Sequence, residues 1–292
     1  MQKLYHHYVS ITDKGASMKN AQNSYTITPE DQAFFYSDAA RGIRLQVDYL
    51  KAETKMKEAG IEHTIVVFGS ARIKPSDEAL ADIRTIEKAL EQDALDEHLL
   101  RALEKAKKAL HKSLYYEEAR KFGQIVGKSG KGAQDCRVTL MTGGGPGIME
   151  AANRGAHDVG AKSIGLNIKL PHEQHSNPYI TPELSFAFHY FGIRKLHFMQ
   201  RAKALVVFPG GFGTLDELFD ILTLIQTGKS PHIPIVLVSH HYWDNVLNFD
   251  FLVEEGVIDS QDMEFFSYAE NAHEAWGQIE AWYKERGEPL FS

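Results

Sequence analysis

Apolar positions along the chain fall into two alternating rhythms. Thr64-Ile65-Val66-Val67-Phe68 is a short β-branched run closed by Gly69, the pattern of a buried strand. Ahead of it, Thr28-Pro29-Glu30-Asp31 carries helix-start signals with Thr28 as N-cap, so a helix is predicted to about Ala59, with Gly60 as its stop. Behind it, Ser76-Asp77-Glu78 caps a long stretch in which Leu80, Ile83, Ile86 and Leu90, then Leu95 and Leu99, recur at the helical period. Helix continues to about Val126. From there strands are predicted over Arg137–Met141, Lys162–Ile168, Leu184–Tyr190, Ala204–Phe208 and Pro234–Val238. Helices separate them near Ile148–Val159, through Arg201, over Thr214–Thr227 and near Trp243–Glu254, and a last one covers about Asn271–Lys284. Strands alternating with helices imply right-handed crossovers and a sheet covered on both faces. The expected fold is α/β, a doubly wound, mostly parallel, Rossmann-like sheet.

One crossover is too long. A βαβ unit needs about 30 residues, whereas Thr64 to Met141 spans nearly 80. The stretch Leu114–Val126 supplies the crossover helix, which leaves about Lys74–Lys112 as a helical, hairpin-like insertion. The expected organisation is an N-terminal arm and helix over residues 1–60, then a single domain over 61–292 carrying that insertion.

Composition narrows the function classes. The 292 residues are 43% apolar and 11% aromatic, too rich for a disordered chain. Apolar runs such as Ala204–Phe208 stop far short of the roughly 18 residues that span a bilayer, so no membrane association is expected. The opening Met1-Gln2-Lys3-Leu4-Tyr5-His6-His7 is polar, unlike a secretory leader, and a lone Cys136 suits a reducing compartment. Cytoplasmic is the expected location. A net charge of −7 argues against a nucleic-acid binder. Twelve acids stand against Lys284 and Arg286 from Asp244 onward, so the remainder has a small positive excess that permits a local anion site.

Three strand-to-helix turns are glycine-rich: Gly69-Ser70-Ala71-Arg72, Gly143-Gly144-Gly145-Pro146-Gly147, and Pro209-Gly210-Gly211-Phe212-Gly213-Thr214-Leu215-Asp216-Glu217. Glycine lets a backbone approach a ligand, and amides opening a helix favour an anion. Two long loops of this kind at one sheet edge favour a phosphate-bearing ligand. No Gly-Lys-Ser/Thr follows the glycines, and Gly143-x-Gly145-x-Gly147 lacks the dinucleotide spacing, which counts against kinase, ATPase and dehydrogenase readings. Thr214-x-x-Glu217 also fits a capping box, and Arg194-Lys195 also fits a solvated helix face. Of the 14 histidines, His6-His7 lies in a poorly patterned arm, His240-His241 sits at a strand end where alternation sends neighbours to opposite faces, and His172 with His175 has no third ligand at metal spacing. Cys136 reads as a packing residue.

Pro209–Glu217 with the upstream Arg194-Lys195 resembles the PGGxGTxxE and RK signatures of the Lonely Guy (LOG) family, nucleoside 5′-monophosphate phosphoribohydrolases often labelled "lysine decarboxylase". Gly143–Glu150, Pro171-His172-Glu173-Gln174 and Asn177-Pro178-Tyr179 are similar to the longer bacterial members. The resemblance implies hydrolysis of the N-glycosidic bond of AMP or an N6-modified AMP, such as a cytokinin riboside monophosphate, to free base and ribose 5-phosphate. It implies no cofactor, no metal, and a homo-oligomer. It assigns catalysis to Glu217 and Arg194 and the 5′-phosphate to Gly210, Gly211, Gly213 and Thr214. Around the substrate it places Ser70, Gly143, Gly144, Gly145, Lys195, Glu150 and Asn153. Relatives of the same fold bind molybdenum cofactor through similar loops, so a non-catalytic nucleotide or cofactor carrier is the second reading. A decarboxylase would need pyridoxal phosphate on a lysine that the sequence does not mark.

Overall fold

A computed structural model describes residues 31–168 and 176–291. The chain divides into two compact units, residues 1–46 and 47–292. In the first, Asp31 caps a single helical turn, Gln32–Phe35, by accepting from the Phe34 amide at 2.9 Å, and Arg44 ties down the carbonyls of Phe35 and Ser37. A 3₁₀ turn follows at Asp38–Ala40, and only then does the main helix α1 begin, Arg41–Glu58, which belongs to the second unit from Val47 onward. The single helix expected over 28–59 is therefore broken near Tyr36-Ser37; Thr28, its expected cap, lies outside the described residues.

The second unit runs β1 (His63–Phe68), α2 (Ser76–Leu90), α3 (Glu97–Lys128), β2 (Val138–Thr142), α4 (Ile148–Asp158), β3 (Ser163–Ile168), β4 (Ser185–Phe188), α5 (Phe191–Gln200), β5 (Ala202–Val207), α6 (Phe212–Gln226), β6 (Ile235–Val238), α7 (His240–Val246), α8 (Phe249–Glu254), β7 (Phe266–Ala269) and α9 (Ala272–Arg286). The seven strands form one sheet in the order β4-β3-β2-β1-β5-β6-β7, every pairing parallel. The expected α/β doubly wound architecture is what forms. Successive strand residues serve opposite faces. Ile65 and Val67 of β1 join the core under α3, α4 and α9, while Val66 and Phe68 join the core under α1, α5, α6 and α7.

Several elements depart from expectation. β7 was not anticipated, because Phe266-Ser267-Tyr268-Ala269 is a short edge segment with no apolar run. The region 243–254 is two helices, with Asn248 capping the second through the Phe251 amide at 3.0 Å. Pro75, not Ser76, occupies the cap position of α2. The insertion is helical as expected, but its second arm and the crossover helix are one 32-residue helix, α3. Nothing interrupts it, since 97–128 contains no proline and its glycines face α4.

Strand order reverses direction at the β1/β5 pair, and ligands in such sheets bind beyond the carboxyl ends of the strands at that point. All three glycine turns follow β1, β2 and β5, the three central neighbours.

Candidate active site

Ser70 stitches the three turns together. Its amide donates to the Pro209 carbonyl at 3.0 Å, and its carbonyl accepts from the Ile148 amide at 3.1 Å. The first of those bonds fixes the β5 turn, the second the start of α4. Gly147, at φ 73°, is where the second turn passes this contact, and a Cβ there would collide with the Ser70 carbonyl.

A buried amide network holds the rest of the second turn. Thr142 donates from Oγ1 to Asn153 Oδ1 at 2.7 Å and accepts from the Gly144 amide at 3.0 Å. Asn177 donates from Nδ2 to the carbonyls of Gly144 and Gly145 and to Asn153 Oδ1, at 3.2, 3.1 and 3.0 Å. Asn153 donates in turn to Ser163 Oγ at 3.0 Å and is fully buried. Buried polar groups of this kind rigidify a site when all partners are present. Sequence reasoning had no contact signal for Thr142 or Asn177, because helix α4 and the second turn bring their partners to them only in the fold.

Beyond β5, α6 opens with Gly211 in the N-cap position and no side-chain cap. Thr214 is therefore the third helical residue, which removes the capping-box reading of Thr214 and Glu217. The amides of Phe212 and Gly213 open the helix with no preceding turn to bond, as an anion site requires. Thr214 and Glu217 both lie on the buried side of α6.

Facing them is Arg194, one turn into α5. Its Nε donates to the Leu166 carbonyl at 2.7 Å, and its guanidinium lies 5.0 Å from the Phe198 ring centre. Nη1 stands 3.8 Å from Glu217 Oε1, with the two side chains 12% and 9% exposed. The solvated-face reading of Arg194 is thereby excluded. Gly143 permits the approach, since a Cβ there would lie 2.6 Å from Arg194 Nη2. Burial raises the Glu217 pKa to about 7, against the opposing pull of Arg194 and Lys195. Burial likewise lowers the Arg194 pKa, while Glu217 opposes it. The pair is too far apart for a direct hydrogen bond, and the carboxylate keeps its accepting positions for another group.

The structure thus brings together Arg194, Glu217, Gly143 and the Gly210–Thr214 turn, with Ser70 beneath them. Lys195 turns elsewhere, to Asp216 at 2.9 Å and Asp220 at 3.8 Å. Glu150 accepts from the Tyr116 hydroxyl at 3.0 Å. His6, His7, His172 and His175 lie outside the described residues. Among the described residues, no group of three or more His, Cys, Asp or Glu is placed to hold a metal ion, and no helix is long and apolar enough to cross a membrane.

A family profile described as "Possible lysine decarboxylase" matches residues 149–279, a span that includes Arg194 and Glu217. A rice (Oryza sativa subsp. japonica) protein named a probable cytokinin riboside 5′-monophosphate phosphoribohydrolase is 32% identical over 149 residues, 50% of this chain and 64% of its own length. An Arabidopsis thaliana cytokinin riboside 5′-monophosphate phosphoribohydrolase is 30% identical over 153 residues, 51% of this chain and 69% of its own. Among solved structures, a molybdenum cofactor binding protein from Rippkaea orientalis aligns over 75% of this chain and 94% of its own, with 14% identity and a TM-score of 0.43. The similarity to these phosphoribohydrolases places this chain in the LOG family.

Proposed function

We propose that the chain hydrolyses the N-glycosidic bond of nucleoside 5′-monophosphates, AMP or an N6-modified AMP such as a cytokinin riboside monophosphate first among them. The products are free base and ribose 5-phosphate. The observation that carries this reading is the buried Glu217 carboxylate held 3.8 Å from Arg194 at the mouth of the glycine turns.

Breaking the bond from C1′ to the base nitrogen leaves positive charge on the ribose ring. A carboxylate beside C1′ stabilises that charge and orients the water that adds there, one proton leaving with the base. A pKa near 7 suits a group that must accept a proton from water at neutral pH. Arg194, fixed by Leu166, supplies a planar cation to the phosphate or to charge on the departing base. The 5′-phosphate sits against the amides of Gly211, Phe212 and Gly213 and the hydroxyl of Thr214. Asn153 acts by bracing the Gly143–Gly145 turn, and Lys195 by neutralising the acids that flank Glu217. A cytoplasmic homo-oligomer completes the proposal; light scattering of the purified protein reads the second part.

The test is incubation of pure protein with a panel of nucleoside 5′-monophosphates, followed by chromatography for free base. Base release that Glu217→Gln abolishes supports the reading; no release from any nucleotide refutes it. A melting-temperature shift with a pterin and no base release would favour the carrier reading instead.

A further inference from the structure

The carbonyl of Gly210 does not face solvent; it is claimed by a side chain from a different strand-to-helix connection. Tyr242, in the first turn of α7, donates from its hydroxyl to the Gly210 oxygen at 2.5 Å. Burial raises the Tyr242 pKa, which keeps the phenol protonated and a donor.

Tyr242 is itself held in place by an unusual turn. Ser239, the N-cap of α7, takes the left-handed conformation at φ 73°, the one non-glycine among the described residues to do so. Such backbone persists only where surrounding bonds enforce it. Here the Ser239 amide donates to the Ala269 carbonyl at 2.8 Å, its oxygens accept from the Tyr242 amide, and its hydroxyl meets the Tyr115 hydroxyl at 2.9 Å. Tyr115, Ser239 and Tyr242 thus bolt α7 in one orientation, and that orientation ends on Gly210.

A trans peptide is planar, with its oxygen and hydrogen on opposite sides. Fixing the Gly210 oxygen toward Tyr242 therefore fixes the Gly211 N–H away from it. Gly210 is wedged against Thr214, leaving no room for a side chain, whereas the space around Gly211 is open. We propose that Tyr242 is a positioning residue for the phosphate cradle: by holding the Gly210 carbonyl it aims the Gly211 amide at the ligand's phosphomonoester. The inference rests on the function proposed above for the ligand's identity. Its geometry does not depend on the bond being cleaved.

The experiment compares wild type with Tyr242→Phe, which keeps the ring and its packing. Ribose 5-phosphate affinity is measured by calorimetry, with ribose as the control ligand, beside kcat and KM for nucleotide hydrolysis; circular dichroism checks the fold. The expected result is a Kd for ribose 5-phosphate and a KM both raised about three- to tenfold, with kcat held within about twofold. Unchanged Kd and KM overturn the proposal. So does a fall in kcat at constant Kd, which would put the hydroxyl at the reacting atoms instead. If wild type binds ribose 5-phosphate yet hydrolyses no nucleotide, the hydrolase reading fails, while a weakened Kd in the variant still supports Tyr242's role. A wild type that binds no ribose 5-phosphate overturns the cradle itself.

Discussion

At Glu217 the protein keeps a carboxylate where water cannot stabilise its charge, and burial raises its pKa to about 7. The folded-state value lies above the ordinary glutamate value of 4.5, so the stabilising contribution is complete below about 4.5 and is lost as pH rises through about 7. Glu217→Gln removes that dependence. Relative to the variant, wild type is expected to lose on the order of 2 kcal/mol between pH 5 and pH 8, read by urea titration of both proteins. The catalytic consequence has the opposite sign: if the ionised form acts, base release rises with pH through an apparent pKa near 7, measurable as kcat/KM across pH 5–9. Arg194 is the second residue that tolerates little change. Lysine keeps the charge but loses the fixed fork that reaches Leu166, so Arg194→Lys is expected to cut kcat/KM by at least about tenfold.

The arginine helix is itself clamped by α1, well upstream of the family-matched residues. Asp48 Oδ2 accepts from the amides of His189 and Tyr190, both at 2.9 Å, at the entry to α5. Along the helix, the Tyr49 ring stacks on His197 at 4.9 Å and its carbonyl meets His197 Nε2. At the far end, Glu53 pairs with Arg201 through two 2.8 Å bonds. Asp48→Ala is expected to cost about 1 kcal/mol in a chemical melt, as loss of a helix cap does, and to lower kcat more than it raises KM. A second tight junction lies where α3 crosses α4: a Cβ on Gly155 would run into the Arg120 carbonyl, and one on Gly123 into that of Ala152. Gly155→Ala is expected to destabilise by about 1–3 kcal/mol, seen as a lower urea midpoint. Sequence made the repeating elements legible because their periods are strong. It could not show these junctions, whose partners are tens to more than a hundred positions apart. It also missed β7, because an edge strand such as Phe266–Ala269 needs no apolar run, and it did not join the insertion to the crossover as one helix. The glycine turns and the Arg194–Glu217 pair were readable because their chemistry is local to short segments. The Asn153–Asn177 brace and Tyr242 were not, since each reaches a partner 24 or 32 positions away on a separate element.

In the whole molecule the inserted arm is nearly separate from the sheet. The buried residues of α3 begin at Ser113; its first sixteen residues contribute none. Excising Lys74–Lys112 behind a short glycine-serine bridge is expected to leave a cooperative melt. Loss of base release in that deletion would show that the arm serves the site, and a change of oligomer size on a gel-filtration column would show that it joins subunits. The acid-rich C-terminal stretch, from Asp244 onward, supplies the end of α7, then α8, the edge strand β7 and α9. The sheet order also sets a timetable. β1 pairs with β2 on one edge, but its other neighbour, β5, begins about 130 residues later. On a ribosome adding 5–20 residues per second, that edge waits roughly 7–26 s for its partner. All that time a central strand, buried in the finished sheet, presents an open ladder, which makes the nascent chain a client for whatever in the cell shields exposed strands.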